Sequence, residues 1–234
     1  MNLSRRAAAE FIGTAFLVAA VVGSGIMGER LSNGNIALAL LCNTIATGAA
    51  LVALILAFGS ISGAHFNPVV TLCDAMDKGI EWASVPAYVM AQVLGGILGA
   101  VVANLMFGLR AISISQHGRS GTAQVFSEFV ATFGLLCVIW GCSRFRANAV
   151  PYAVGAYIAS AYWFTPSTSF ANPAVTIARC FSNTFAGIRP NDVVLFVAAQ
   201  IAGGLAATLL FRMLASRRAV KIESLAATGE LERS

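Results

Sequence analysis

Charge is what this sequence has least of: Asp, Glu, Lys and Arg together make up 11% of its 234 residues. A soluble domain carries about 25%, so a globule of this size would lack the charge to solvate its surface. The shortage is also concentrated. None of these four residue types occurs from Leu31 to Cys73, Trp82 to Leu109, Ala147 to Ala178 or Val193 to Phe211. A spanning helix needs only about 20 mainly apolar residues, and 58% of the chain is hydrophobic. The composition excludes a soluble globule and predicts a polytopic membrane protein.

Other scarcities exclude other classes. The five Cys include no C-x-x-C pair and sit mostly in apolar stretches, so they read as small packing residues and not as a disulfide framework. Two His, His65 and His117, are too few for a metal centre. No nucleophile stands beside a base, so neither an enzyme nor a resident cofactor is expected. The net charge of +5 comes from basic residues that flank apolar runs without forming a stripe, which argues against a nucleic-acid partner. Arg5 and Arg6 precede an apolar run as in a signal peptide, but no clear A-x-A site follows, so a retained first span is expected.

What is present is a set of apolar runs. Spans are expected at Ala7–Met27, Ile36–Phe58, Ser84–Phe107, Ala123–Gly141, Val150–Phe164 and Val193–Leu214. Two uncharged stretches run on beyond a crossing, through Gly59–Phe66 into Asn67–Cys73 and through Thr165–Phe170 into Asn172–Ala178. Each tail is too short to span and opens with Gly, Ser, Thr or Pro, the signature of a re-entrant loop and half-helix buried in protein. With both termini cytoplasmic, ten Lys and Arg fall inside and five outside, as the positive-inside rule requires. A polar cytoplasmic tail covers 216–234.

The chain also repeats itself. Ala9-Glu-Phe-Ile-Gly-Thr echoes Ser127-Glu-Phe-Val-Ala-Thr, His65-Phe-Asn-Pro-Val-Val-Thr echoes Phe170-Ala-Asn-Pro-Ala-Val-Thr, and Ala91-Gln-Val-Leu-Gly-Gly echoes Ala199-Gln-Ile-Ala-Gly-Gly, at offsets of 118, 105 and 108 residues. Residues 1–115 and 116–215 therefore each hold three spans and one half-helix. An odd number of spans inverts the second repeat relative to the first.

Asn-Pro starts a helix well: Asn caps it, and Pro at the first helical position gives up an N–H that has no partner there. Inversion points the N-termini of the two half-helices at each other near the midplane, each carrying roughly +0.5 of a charge. Such a meeting point repels cations, while the Asn67 and Asn172 amides offer donors to a neutral solute. Glu10 and Glu128, at equivalent positions, have two readings: each carboxylate fixes a re-entrant backbone through N–H bonds, or the pair forms a proton relay. His65 reads as a pore-facing donor, a core histidine or a residue whose carbonyl matters. Gln92 and Gln200 read as partners of helices or loops.

Together the boxes Asn67-Pro68-Val69 and Asn172-Pro173-Ala174, the preceding Ser62-Gly-Ala-His-Phe66 and the repeated Glu and Gln resemble the major intrinsic protein family of aquaporins and aquaglyceroporins, over roughly residues 7–214. The resemblance implies an all-α fold of six transmembrane helices and two re-entrant half-helices around an hourglass pore. It further implies a homotetramer in the cell membrane that passes water and small uncharged solutes without energy coupling.

The sequence departs from the family pattern at the external filter. Where the family usually has Arg directly after the second box, this chain has Val175. The other filter positions correspond to Thr47, Ser160 and Ser169, with Ser160 uncertain by about one residue. None is aromatic, His or charged, so a wider and less polar filter is expected, open to glycerol-like polyols and to neutral arsenous acid. The second box with its following Val is similar to bacterial members associated with arsenic handling. Arg179, one turn beyond Val175, either substitutes for the missing Arg or snorkels to the external surface, the second being the expectation. Val69 replaces the usual Ala and is expected to trim the central lumen. The alternatives are a water-selective pore and an ion-coupled transporter.

Overall fold

A computed structural model describes residues 1–231, with side chains through residue 214. Eight α-helices follow in order: α1 (Leu3–Leu31), α2 (Ile36–Ser62), α3 (Pro68–Met76), α4 (Val85–Met106), α5 (Thr122–Phe145), α6 (Val150–Phe164), α7 (Pro173–Ala178) and α8 (Pro190–Leu231). No strand occurs among the described residues. Helices α1, α2, α4, α5 and α8 are long and apolar enough to cross a bilayer. Helix α6 matches the expected fifth span residue for residue and has only 15 residues. With the 3-10 turn Ala147–Ala149 ahead of it, it reaches about 28 Å, close to the hydrocarbon thickness of about 30 Å. Helix α8 continues through the expected polar tail to Leu231. The side chains of that tail, including four of the ten basic residues counted as cytoplasmic, lie outside the described residues, as do residues 232–234 altogether.

Helices pack in matched pairs, α1 on α4 and α5 on α8. The sequence makes this possible with small residues. A Cβ at Gly95 would collide with the Phe11 carbonyl, and one at Gly203 with the Phe129 carbonyl; the bare glycines let the backbones close up. The outer faces carry Phe16, Ile45, Met90, Phe126 and Val194, all exposed, as expected of helices solvated by lipid.

The short helices α3 and α7 lie inside this shell. Asn67 caps α3 through its side-chain oxygen on Val69 N, and Asn172 caps α7 on Ala174 N and Val175 N, each followed by Pro at the helix start. The far end of α3 is anchored by Asp77, which bonds Arg144 of α5 at 2.7 Å and Arg212 of α8 at 3.2 Å. Arg212 also donates to the Met76 carbonyl, placing positive charge at a helix C-terminus, where it is favoured.

Candidate functional site

The two Asn-Pro boxes meet. Asn67 Nδ2 donates to the Ala171 carbonyl at 2.8 Å, and Asn172 Nδ2 donates to the Phe66 carbonyl at 2.7 Å. Each carboxamide carries two N–H donors; one is spent across the junction, and both residues line a cavity of about 360 Å³. The loops that deliver the boxes are forced into an unusual shape. Ala64 and Phe66 before the first box, and Ser169 and Ala171 before the second, all have φ of 48–49°, a region costly for residues with a side chain.

Glu10 and Glu128 hold those loops. Glu10 accepts from His65 N at 3.0 Å, Phe66 N at 2.7 Å, Ser62 Oγ at 2.6 Å and Gln92 Nε2 at 2.8 Å. Glu128 accepts from Phe170 N at 2.9 Å, Ala171 N at 2.8 Å and Gln200 Nε2 at 2.6 Å. Gln92 and Gln200 each also donate to a half-helix threonine, Thr71 and Thr176, both at 2.9 Å. Both carboxylates are fully buried, and neither lines the cavity.

At one end the cavity is bounded by His65, Asp74, Gly79, Trp140 and Ser143. The His65 ring sits between Thr71 Oγ1, 3.1 Å from Nδ1, and Asp74 Oδ2, 3.6 Å from Nε2. The other end is bounded by Thr47, Tyr162, Ser169, Phe170, Val175 and Arg179. Thr47 Oγ1 accepts from Tyr162 OH at 3.2 Å, and Ser169 Oγ is buried with no hydrogen-bond partner among the described residues.

Three expectations are corrected by this geometry. Ser160 is exposed, its hydroxyl bonded to the Tyr157 carbonyl at 2.7 Å, and it does not reach the cavity. Helix α6 presents Val154, Ile158 and Tyr162 there, a spacing of four that leaves residue 160 on the opposite face; the lining therefore does include an aromatic residue. Val69 is also turned away, its methyl filling the space that a Cβ would take at Gly204, while Val70 lines the cavity. Arg179 does not snorkel. It is 2% exposed, donates Nε to the Ala186 carbonyl and stacks on the Phe170 ring at 3.4 Å.

The sequence reading missed Tyr162, Ile158 and Asp74 as lining residues. Periodicity carries no signal for the first two, because a helix between lipid and an apolar lumen is apolar on both faces. In the loop before α5, Arg119 donates to the carbonyls of Ser167, Gly187 and Phe185. Burial pulls its guanidinium down to about 10, still charged at neutral pH. Among the described residues, no group of three or more His, Cys, Asp and Glu is placed to hold a metal.

Comparison with known proteins gives the same picture. The family description "Major intrinsic protein" matches residues 1–147. The chain is 53% identical over 213 residues to aquaglyceroporin AqpS of Rhizobium meliloti (strain 1021), covering 91% of each sequence. It is 32% identical to aquaporin NIP1-1 of Oryza sativa subsp. japonica, over 88% of this chain and 72% of the relative. The aquaglyceroporin structure from Plasmodium falciparum superimposes with a TM-score of 0.72 over 90% of this chain and 96% of its own, at 19% identity; that likeness concerns the fold alone. On the family match and the relative at 53% identity, the chain belongs to the major intrinsic protein family.

Proposed function

We propose that this family member, a passive channel for water and small neutral solutes, is a broad pore that admits glycerol-sized polyols and not water alone. The observation that carries the reading is Val175, which lines the cavity directly after the second box and offers neither charge nor donors. Thr47 and Ser169 line the same end, and their hydroxyls suit a solute rich in oxygen. Neutral arsenous acid belongs to the same size and charge class, and the likeness to an aquaglyceroporin at 53% identity favours the broad pore over the water-selective one.

The Asn67 and Asn172 amides, together with the facing N-termini of α3 and α7, orient solute oxygens and repel cations at the middle of the pore. Pro68, Pro173 and Ala174 hold the two helix starts, and His65 contributes at the opposite mouth. Glu10 and Glu128 are loop-positioning residues. Their bonds to backbone N–H groups, and their absence from the lining, favour that role over a proton relay and a channel over a coupled transporter or an enzyme. Residues 1–115 and 116–215 are the two inverted repeats, and the protein sits in the cell membrane as a homotetramer with both termini cytoplasmic.

Stopped-flow light scattering of proteoliposomes challenged with water, glycerol and arsenous acid tests the reading. Glycerol flux well above protein-free vesicles is expected. Water flux without glycerol flux would replace the broad pore with a water-selective one.

A further inference from the structure

We propose that Arg179 supplies the fixed positive charge at the Val175 end of the pore, from one helical turn beyond the family's usual position. There, with Ser169, it forms a docking point for the oxygens of a small neutral solute. The proposal rests on the broad-pore reading above.

The placement follows from the shortness of α7. Six residues rise about 9 Å, so Arg179, in the 3-10 turn directly after α7, is still deep in the protein. It stands four positions after Val175, which puts both on one face, and both line the same cavity. The side chain is fixed there on two sides: Nε donates to the Ala186 carbonyl, and the guanidinium lies 3.4 Å from the centre of the Phe170 ring. Phe170 is itself braced edge-on by Phe196 at 5.4 Å and flanked by Arg119 at 5.0 Å.

The charge of Arg179 is not neutralised locally. No carboxylate pairs with it among the described residues, because the nearby Glu128 is committed to Phe170 N, Ala171 N and Gln200. The guanidinium donates through Nε to the Ala186 carbonyl, and the buried Ser169 hydroxyl has no hydrogen-bond partner among the described residues. A buried guanidinium is normally paired or fully hydrogen-bonded, because desolvation is costly. Here the guanidinium, with its Nη donors beyond the Nε bond, and the free hydroxyl line the same cavity, so a passing solute oxygen is their natural partner. Val175 leaves the width; Arg179 keeps the charge. The pore end is then both wider than one with Arg at residue 175 and still closed to cations.

The test compares the wild-type channel with Arg179→Gln, Arg179→Lys and the double variant Val175→Arg/Arg179→Gln. All are assayed in proteoliposomes for sodium entry by an entrapped indicator and for glycerol and water by light scattering. Sodium entry should rise about tenfold or more in Arg179→Gln, a change equivalent to losing one modest charge interaction in a barrier. Arg179→Lys should keep sodium out, and the double variant should restore exclusion by returning the charge at residue 175. An assembled Arg179→Gln channel with wild-type sodium entry and glycerol-to-water ratio overturns the proposal. If Arg179→Gln does not assemble, the double variant decides. Assembly with sodium excluded supports a charge role, and failure to assemble assigns Arg179 to structure alone. A wild type that conducts water but no glycerol overturns the broad pore and leaves the sodium comparison intact.

Discussion

Asn67 and Asn172 are bonded across the junction in a reciprocal pattern: each donates from Nδ2 to the carbonyl of the residue just before the other, at 2.8 and 2.7 Å. Each also caps its own half-helix through Oδ1. The pair thus couples the two half-helices through one residue from each, and it ties loop conformation to the cavity wall. Substituting Asp removes the crossing donor and sets a carboxylate oxygen against a carbonyl. Asn67→Asp and Asn172→Asp should each cost about 1–3 kcal/mol of stability. An ionised Asp there should also admit cations. Thermal unfolding in detergent and sodium entry into proteoliposomes check both effects; unchanged ion leak in both folded variants would count against lumen-facing amides.

Glu10→Gln and Glu128→Gln keep the shape of the side chain and lose the charge that holds the left-handed residues Phe66 and Ala171. Each should lower stability by about 1.5–3 kcal/mol, the worth of hydrogen bonds to a charged group. Solute uptake by the wild type should be indifferent to collapse of the proton and sodium gradients. Uptake that stops when the gradients collapse would restore the coupled transporter and make these two acids its first suspects.

Val69 and Val70 separate packing from permeation. Val69→Ala empties the space over Gly204 and should destabilise by about 1 kcal/mol, in the range for deleting buried methyls, with solute ratios unchanged. Val70→Ala enlarges the cavity wall and should raise glycerol relative to water. Thermal shift and light scattering on the same preparations distinguish them, and the reverse result would return Val69 to the lumen.

Tyr162 and Ser160 make the same comparison on α6. Tyr162→Ala should increase glycerol permeation, because its ring lines the cavity and its hydroxyl positions Thr47. Ser160→Ala should change neither water nor glycerol flux, since its hydroxyl only returns to its own helix. A selectivity change in Ser160→Ala would contradict the orientation of α6.

How much of this was legible in the sequence differs from residue to residue. The Asn-Pro caps, the half-helices and the carboxylates stood out because polar residues are expensive at membrane depth, so each one signals a partner. The facing of α6 did not, because Ile158 on the cavity side and Trp163 and Phe164 on the exposed side are all large and apolar, and helical phase cannot be counted back from a box through a loop. The direction of Val69 is hidden for a related reason: only the presence of Gly204 opposite shows which way the valine turns. A sound rule for long cationic side chains sends Arg179 to the surface. That rule failed because α7 is six residues long and the segment after it folds back to put the Ala186 carbonyl beside the guanidinium.

The most direct test is Val175→Arg, measured as the ratio of glycerol to water permeability in proteoliposomes, with expression and oligomer size checked alongside. The substitution adds a planar donor fork and a second charge where Val175 now leaves width, with the Ser169 hydroxyl and Thr47 within the same lining to receive it. Glycerol and arsenous acid permeation should fall much more than water permeation. A correctly assembled Val175→Arg channel with an unaltered solute-to-water ratio would remove Val175 from the constriction and the broad pore with it.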